Sequence, residues 1–234
     1  MASGKEAALI VGAGSGLSAA LARLFAKEGM AVILAARNTA KLEGLVRETG
    51  ARAITCDASK PADVQALFDG PVRAAGTPAI VVYNASGRVR GPIVDLDPAE
   101  VQKAIMVSCY GGFLVGQAAA RLMLAQGGGS IFFTGASASV KGYANSSSFA
   151  MGKFGLRGLA QSMARELAPK NIHVAHFVID GGILQGPSDA RGASRGPDGM
   201  LLPEAIAETY LNIHRQHRSA WTWEVELRPW VETF

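Results

Sequence analysis

The 234-residue sequence predicts an α/β protein built on one parallel sheet of about seven strands, with helices on both faces. Three observations carry that prediction. Short apolar runs without polar alternation, as in parallel strands buried on both faces, take turns along the chain with longer segments at helical spacing. Glycine (28 residues) and alanine are abundant while aromatics make up only 7%, a usage suited to helices packed closely on a sheet. No linker divides the chain, so residues 1–234 read as a single domain whose 49% hydrophobic content fills one core.

The first strand is Ala7–Val11, and it stops at Gly12. Leu17, Leu21, Leu24 and Phe25 then share one face of a helix, Leu17–Lys27, which Gly29 ends ahead of a second strand, Ala31–Ala36. A helix near residues 41–48, a strand at 51–55, a helix at 61–68 and a strand at 79–84 continue the alternation. A long helix over 98–124 leads to a strand at 130–134, and a second, Ser147–Leu167, leads to the strand Ile172–Ile179. Residues 186–199 lack periodicity and are loaded with Gly, Pro, Ser and Asp. They predict a mobile loop rather than an element, either a substrate lid or a surface excursion. A helix over 203–215 and a strand near 222–227 close the chain, the latter within an aromatic tail that is either an interface strand or an edge strand of the same sheet.

A net charge of +4 and a pI of 9.2 invite an acidic partner, yet the cations are scattered without a basic run, which argues against nucleic acid. Arg88, Arg90 and Lys141 fall near the carboxyl edge of the sheet, as ordinary surface charge or as a lure for an acidic substrate. Cys56 and Cys109 lack metal-ligand spacing, so no metal site is expected and a reduced, cytoplasmic setting fits them. The opening residues are too short for a signal-peptide core and no stretch approaches membrane-span length, which predicts a soluble protein without a membrane partner.

Gly12, Gly14 and Gly16 lie between a strand and a helix. There, missing Cβ atoms let the backbone N–H groups of the turn, Ser15 and Leu17 included, reach a pyrophosphate at the helix N-terminus. At the end of the second strand an NAD-specific site places a carboxylate on the ribose hydroxyls, but the residues here are Ala35, Ala36, Arg37 and Asn38. Arg37 offers a permanent charge and planar donors to a 2′-phosphate, which favours NADP(H), with NAD(H) as the alternative.

With these residues in view, the chain resembles the short-chain dehydrogenase/reductase family over nearly its whole length. The family pattern TGxxxGxG is similar to Val11-Gly12-Ala13-Gly14-Ser15-Gly16-Leu17-Ser18, with the first Thr and last Gly replaced. Cys56-Asp57-Ala58 looks like the family's adenine-contacting Asp and its neighbours, and Tyr83-Asn84-Ala85-Ser86 looks like its NNAG turn with the middle two residues kept. Lys153 falls on the lysine of the YxxxK helix, and Asp180-Gly181-Gly182-Ile183 resembles the turn whose backbone lines the nicotinamide, with Asp for Pro and Ile183 contributing backbone contacts.

In that family the tyrosine hydroxyl exchanges a proton with the substrate oxygen during hydride transfer, while the lysine one helical turn away lowers its pKa and holds the nicotinamide ribose. Here the tyrosine position holds Phe149, the serine position thirteen residues earlier holds Ala136, and Ser108 stands where the family carries an asparagine. Lys153 alone is intact among the four. Ser137, beside Ala136, is the replacement candidate for the serine; Tyr143, Ser137, Ser148 or a water is the candidate proton donor, and Asp180 is either an acid or a turn cap.

The resemblance implies a Rossmann-type doubly wound domain and NADP(H)-dependent hydride transfer to or from a small molecule, with Lys153 and Ser137 in the catalytic roles. The alternative is a nicotinamide-cofactor-binding scaffold or sensor without turnover. It also implies a homodimer or homotetramer through the two long helices. Gly111, Gly112, Gly155 and Gly158 would permit close contact there, or else pack those helices on their own sheet.

Overall fold

The fold is described from a computed structural model over residues 6–186 and 189–233. Its first half runs β1 (Ala7–Val11), α1 (Leu17–Lys27), β2 (Ala31–Ala36), α2 (Glu43–Thr49), β3 (Arg52–Thr55), α3 (Pro61–Leu67), α4 (Arg73–Ala75), β4 (Pro78–Tyr83). The second half runs α5 (Pro98–Ile105), α6 (Gly111–Gln126), β5 (Gly129–Thr134), α7 (Ser147–Leu167), β6 (Ile172–Ile179), α8 (Ala190–Arg195), α9 (Pro203–His214), β7 (Glu224–Leu227). The strands form one parallel sheet in the order β3-β2-β1-β4-β5-β6-β7.

The unalternating strands acquire two cores from the pleat. Ala8 and Ile10 of β1 face α1, α2 and α9, while Leu9 and Val11 face α3, α6 and α7. Chain order reverses between β1 and β4, which opens a crevice at the carboxyl ends of the strands, the usual ligand position in a doubly wound sheet.

Several expectations change. The 29-residue run Pro98–Gln126 contains an 18-residue window of mean hydropathy 1.2 and is long and apolar enough to cross a membrane by length and composition, contrary to the sequence reading. Here Val115, Ala119 and Met123 bury it against the sheet instead, as a core helix. Gly111, Gly112 and Gly155 are used inside the chain: a Cβ on Gly112 would stand 2.5 Å from Leu156, and one on Gly155 2.7 Å from the Cys109 thiol. Gly158 faces open space.

The stretch expected to hold no element contains α8. Asp189 caps it, accepting from the amides of Arg191 (3.1 Å) and Gln185 (2.9 Å), so an N-cap outweighs the glycine content. The tail holds this segment through Arg195 to Glu232 (2.8 Å) and through the Trp230 indole, which donates to the Pro197 carbonyl. Of the other sequence readings, those on residues 1–5 and 187–188 lie outside the described residues. The aromatic tail is an edge strand of the same sheet, β7 pairing with β6 from His176 opposite Glu224 to Ile179 opposite Leu227, with Trp221 stacked on His173.

Candidate active site

The glycine turn is built by β1 and α1. Gly12 has φ +85°, and a Cβ there would stand 2.5 Å from the Ala85 Cα, so only glycine fits. The Gly12 and Ala13 amides donate to the Ala35 carbonyl (2.9 and 3.0 Å). A relay joins the turn to the end of β4: Asn84 Nδ2 donates to Ser18 Oγ (2.7 Å), which donates to the Gly12 carbonyl (3.2 Å). Gly14 has nothing within 4 Å of a notional Cβ, and no side chain caps α1 at Gly16. The orphan amides of that first turn are therefore left without a side-chain cap, as an anion site requires.

Six of the residues singled out in the sequence, Gly12, Arg37, Asp57, Ala58, Asn84 and Ala85, line one cavity of about 370 Å³. Ser15 and Gly16 line a neighbouring cleft with Gln185. Partial burial opposes ionisation of Asp57, but hydrogen bonds from Ser59 and the charges of Lys60 and Arg37 hold its carboxyl below the usual range. Cys56 lines the same cavity as an inert thiol, pushed up to about 11 by burial. Lys41, absent from the site residues the sequence suggests, lines this cavity from the turn before α2. Its signal was a second cation four residues beyond Arg37. The donors and the uncapped helix fit a nicotinamide dinucleotide, with two cations, Arg37 and Lys41, on the same cavity wall.

At the other end of the crevice, α7 carries Lys153 against the carboxyl end of β5. Its ammonium donates to the Thr134 carbonyl (2.7 Å), is 3% exposed, and burial pushes its pKa down to about 8. His176 lies nearby, its Nδ1 3.0 Å from a Glu224 carboxylate that also holds Arg157. Burial pushes His176 down to about 4, so it stays neutral and adds no second cation beside Lys153.

The Phe149 ring centroid is 5.9 Å from the Lys153 ammonium, and on that ring rests the Arg88 guanidinium, 4.5 Å from the centroid. Ser148 gives its one hydrogen to the Val89 carbonyl (2.8 Å) and accepts from the Val89 amide (3.0 Å), so it is spent as a clamp and is struck from the candidate proton donors. Ser108 does the same for Gly87, donating to its carbonyl at 3.0 Å and accepting from its amide at 2.8 Å. Ser137 is half-buried, and its hydroxyl engages no hydrogen-bond partner among the described residues. Tyr143 is exposed beside Lys141.

Asp180 is buried between Lys141 (3.2 Å) and Arg228 (2.9 Å), joining the turn after β6 to the loop before α7 and to the tail. Two hydrogen bonds, Leu201 to Gly182 and Leu184 to Leu201, fix the following strand bridge and leave the Ile183 N–H unused by it.

Residues 6–186 match the family model described as short chain dehydrogenase. The chain belongs to the short-chain dehydrogenase family. It is similar to the cis-4-hydroxycyclohexanecarboxylate dehydrogenase of Sinomonas cyclohexanicum, 33% identical over 87% of each chain. The sepiapterin reductase of Chlorobaculum tepidum is 30% identical over 96% of each. Among solved structures, a short-chain dehydrogenase from Rhodopseudomonas palustris superposes with a TM-score of 0.83 at 39% identity, covering 96% of this chain and 99% of that one. A metagenomic short-chain oxidoreductase in complex with NADP gives 0.82 at 28% identity, over 98% and 99%. Family relatives are named dehydrogenases and reductases, so this short-chain dehydrogenase is an oxidoreductase by kinship, with the seven-stranded Rossmann-type sheet they share.

Proposed function

We propose that this chain is an NADP(H)-dependent oxidoreductase acting on a small molecule, and that its active site works without the family's tyrosine. The observation that carries the reading is Lys153. A buried ammonium held by one neutral carbonyl costs stability, so a chain under no functional demand would replace it. Gly12, Gly14, Ser15, Gly16 and Leu17 would receive the pyrophosphate, Arg37 with Lys41 the 2′-phosphate, Asp57, Ala58, Asn84 and Ala85 the adenosine side of the cofactor, and Lys153 with the Ile183 backbone the nicotinamide end. When bound, the cofactor supplies or accepts the hydride.

Within the protein, Lys153 fixes ribose hydroxyls and supplies positive charge, while Ser137 offers a hydroxyl to the substrate oxygen. Phe149 exchanges no proton. Tyr143, Ser137 or water closes the proton balance, which suits conjugated or iminium acceptors better than a plain ketone. The NADP held by the metagenomic relative supports the cofactor assignment, and the exposed Phe113, Met151 and Phe154 of α6 and α7 support a homodimer or homotetramer. We place the protein in the cytoplasm, where its two cysteines stay reduced.

A second reading, a cofactor-binding scaffold or sensor, is favoured by the commitment of Ser108 and Ser148 to backbone clamps, which leaves few hydroxyls near Phe149. One experiment separates the two. NADPH and NADH are titrated by nicotinamide fluorescence, and absorbance of the reduced nicotinamide is followed against carbonyl, enone and imine substrates. Turnover with tighter NADPH binding supports the enzyme; tight NADPH binding with no turnover across the panel supports the scaffold.

A further inference from the structure

The segment after β4 carries an arginine on a backbone fixed from both sides. Gly87 is clamped at both its amide and its carbonyl by the buried Ser108, and Val89 in the same manner by the buried Ser148. A Cβ on Gly87 would stand 2.7 Å from the Ala104 Cα, so the segment lies hard against α5. A third tie runs from the Gly91 amide to the Asn145 carbonyl (3.2 Å). Between the two clamps stands Arg88, and its backbone has little freedom to carry the side chain elsewhere.

Its guanidinium lies over the Phe149 ring, and Nη2 donates to Ser146 Oγ (3.1 Å). No carboxylate lies within 4 Å of Arg88 among the described residues; the charge that acts on it is a second cation, Arg90. Lys141 is by contrast paired with Asp180. A guanidinium held over an aromatic ring keeps its remaining N–H groups for a carboxylate, which it can receive through paired hydrogen bonds.

We propose that Arg88, held on Phe149 and assisted by the Ser146 hydroxyl, anchors a carboxylate carried by the substrate. The anchor rests on the reading that reaction takes place at the Lys153 end of the crevice. The planar fork meets the two coplanar oxygens of a carboxylate through paired hydrogen bonds, which points to a carboxylate as the anion. The Sinomonas relative, whose name gives it a hydroxycyclohexanecarboxylate substrate, supplies a probe of suitable shape.

The test measures binding of cyclohexanecarboxylate and of its neutral isostere cyclohexanecarboxamide, by calorimetry, to the free and to the NADPH-loaded protein. The carboxylate should bind at least about tenfold more tightly than the amide and weaken with added salt. Arg88→Met should erase that preference, Arg88→Lys should recover part of it, and Arg90→Met should change it less than about twofold. Because Arg88 is exposed, Arg88→Met should keep the unfolding midpoint of the parent, and Ser146→Ala provides a second, milder loss. Equal affinity for acid and amide, an unchanged preference in Arg88→Met, or no carboxylate binding to the parent overturns the proposal. Failure of the NADP(H) reading is seen separately, as absence of NADPH binding while the carboxylate arm is still read on the free protein.

Discussion

Replacing Lys153 by methionine should make the cofactor-free protein more stable at neutral pH and less stable at alkaline pH. The lysine has its ordinary value of 10.5 when the chain is unfolded and about 8 when buried on the Thr134 carbonyl. At about 1.4 kcal/mol per tenfold change in proton affinity, burying the ammonium costs about 3 kcal/mol at pH 7. Methionine removes that penalty but leaves the Thr134 carbonyl without its donor, a loss of about 1–2 kcal/mol. The net expectation is a gain of about 1–2 kcal/mol for Lys153→Met at pH 7. As pH rises from 8 toward 10.5, the unfolded chain binds more protons than the folded one, so the parent gains stability relative to the variant. Near pH 10 the neutral amine keeps its hydrogen bond at little cost and the order reverses. Urea unfolding of both proteins without cofactor, from pH 7 to 10.5, reads the difference directly. A parent that is the more stable at pH 7, or a difference that does not move with pH, would show that the ammonium is solvated and would remove the argument for its functional retention.

Three further outcomes follow from the same geometry. Arg37→Ala should weaken NADPH about tenfold more than NADH, since an exposed charge-assisted contact is lost from one ligand only; equal weakening in fluorescence titrations would dismiss the 2′-phosphate role. Gly12→Ala should cost about 2–4 kcal/mol in urea unfolding, from a positive φ combined with contact against the Ala85 backbone, and Ala85→Gly should not rescue it because the clash includes main chain; a loss below about 1 kcal/mol would contradict that packing. Phe149→Tyr with Ala136→Ser should raise carbonyl reduction severalfold over background in the reduced-nicotinamide assay, whereas an unchanged rate would mean that the pocket walls have diverged along with the acid.

Much of the fold was legible because burial imprints itself locally. The strands Ala7–Val11, Ala31–Ala36 and Ile172–Ile179 and the helices Leu17–Lys27 and Ser147–Leu167 run where apolar runs and helical spacing put them. The six residues of the cavity beside the glycine turn were legible for a related reason, since each closes a strand or a turn at the carboxyl edge of the sheet. What escaped depends on pairing across long separations. Nothing local marks Ser148 as the partner of Val89, or Asp180 as the meeting point of Lys141 and Arg228. The wider turns at 68–72 and 106–110 escaped as well, because apolar spacing reads the same through an extra residue per turn. Residues 190–195 form a helix against their glycine content because Asp189 caps them.

The two serine clamps separate what the fold requires from what a ligand sees. Ser108 and Ser148 act as a borrowed strand edge, supplying Gly87 and Val89 with the partners a neighbouring strand would give. Their loss would loosen the segment, whereas the side chain between them is exposed and its contacts are one hydrogen bond and one ring face. Position 88 is thus a socket on a fixed mounting. A library confined to that one residue could redirect ligand choice while drawing almost nothing from the stability of the sheet beneath it.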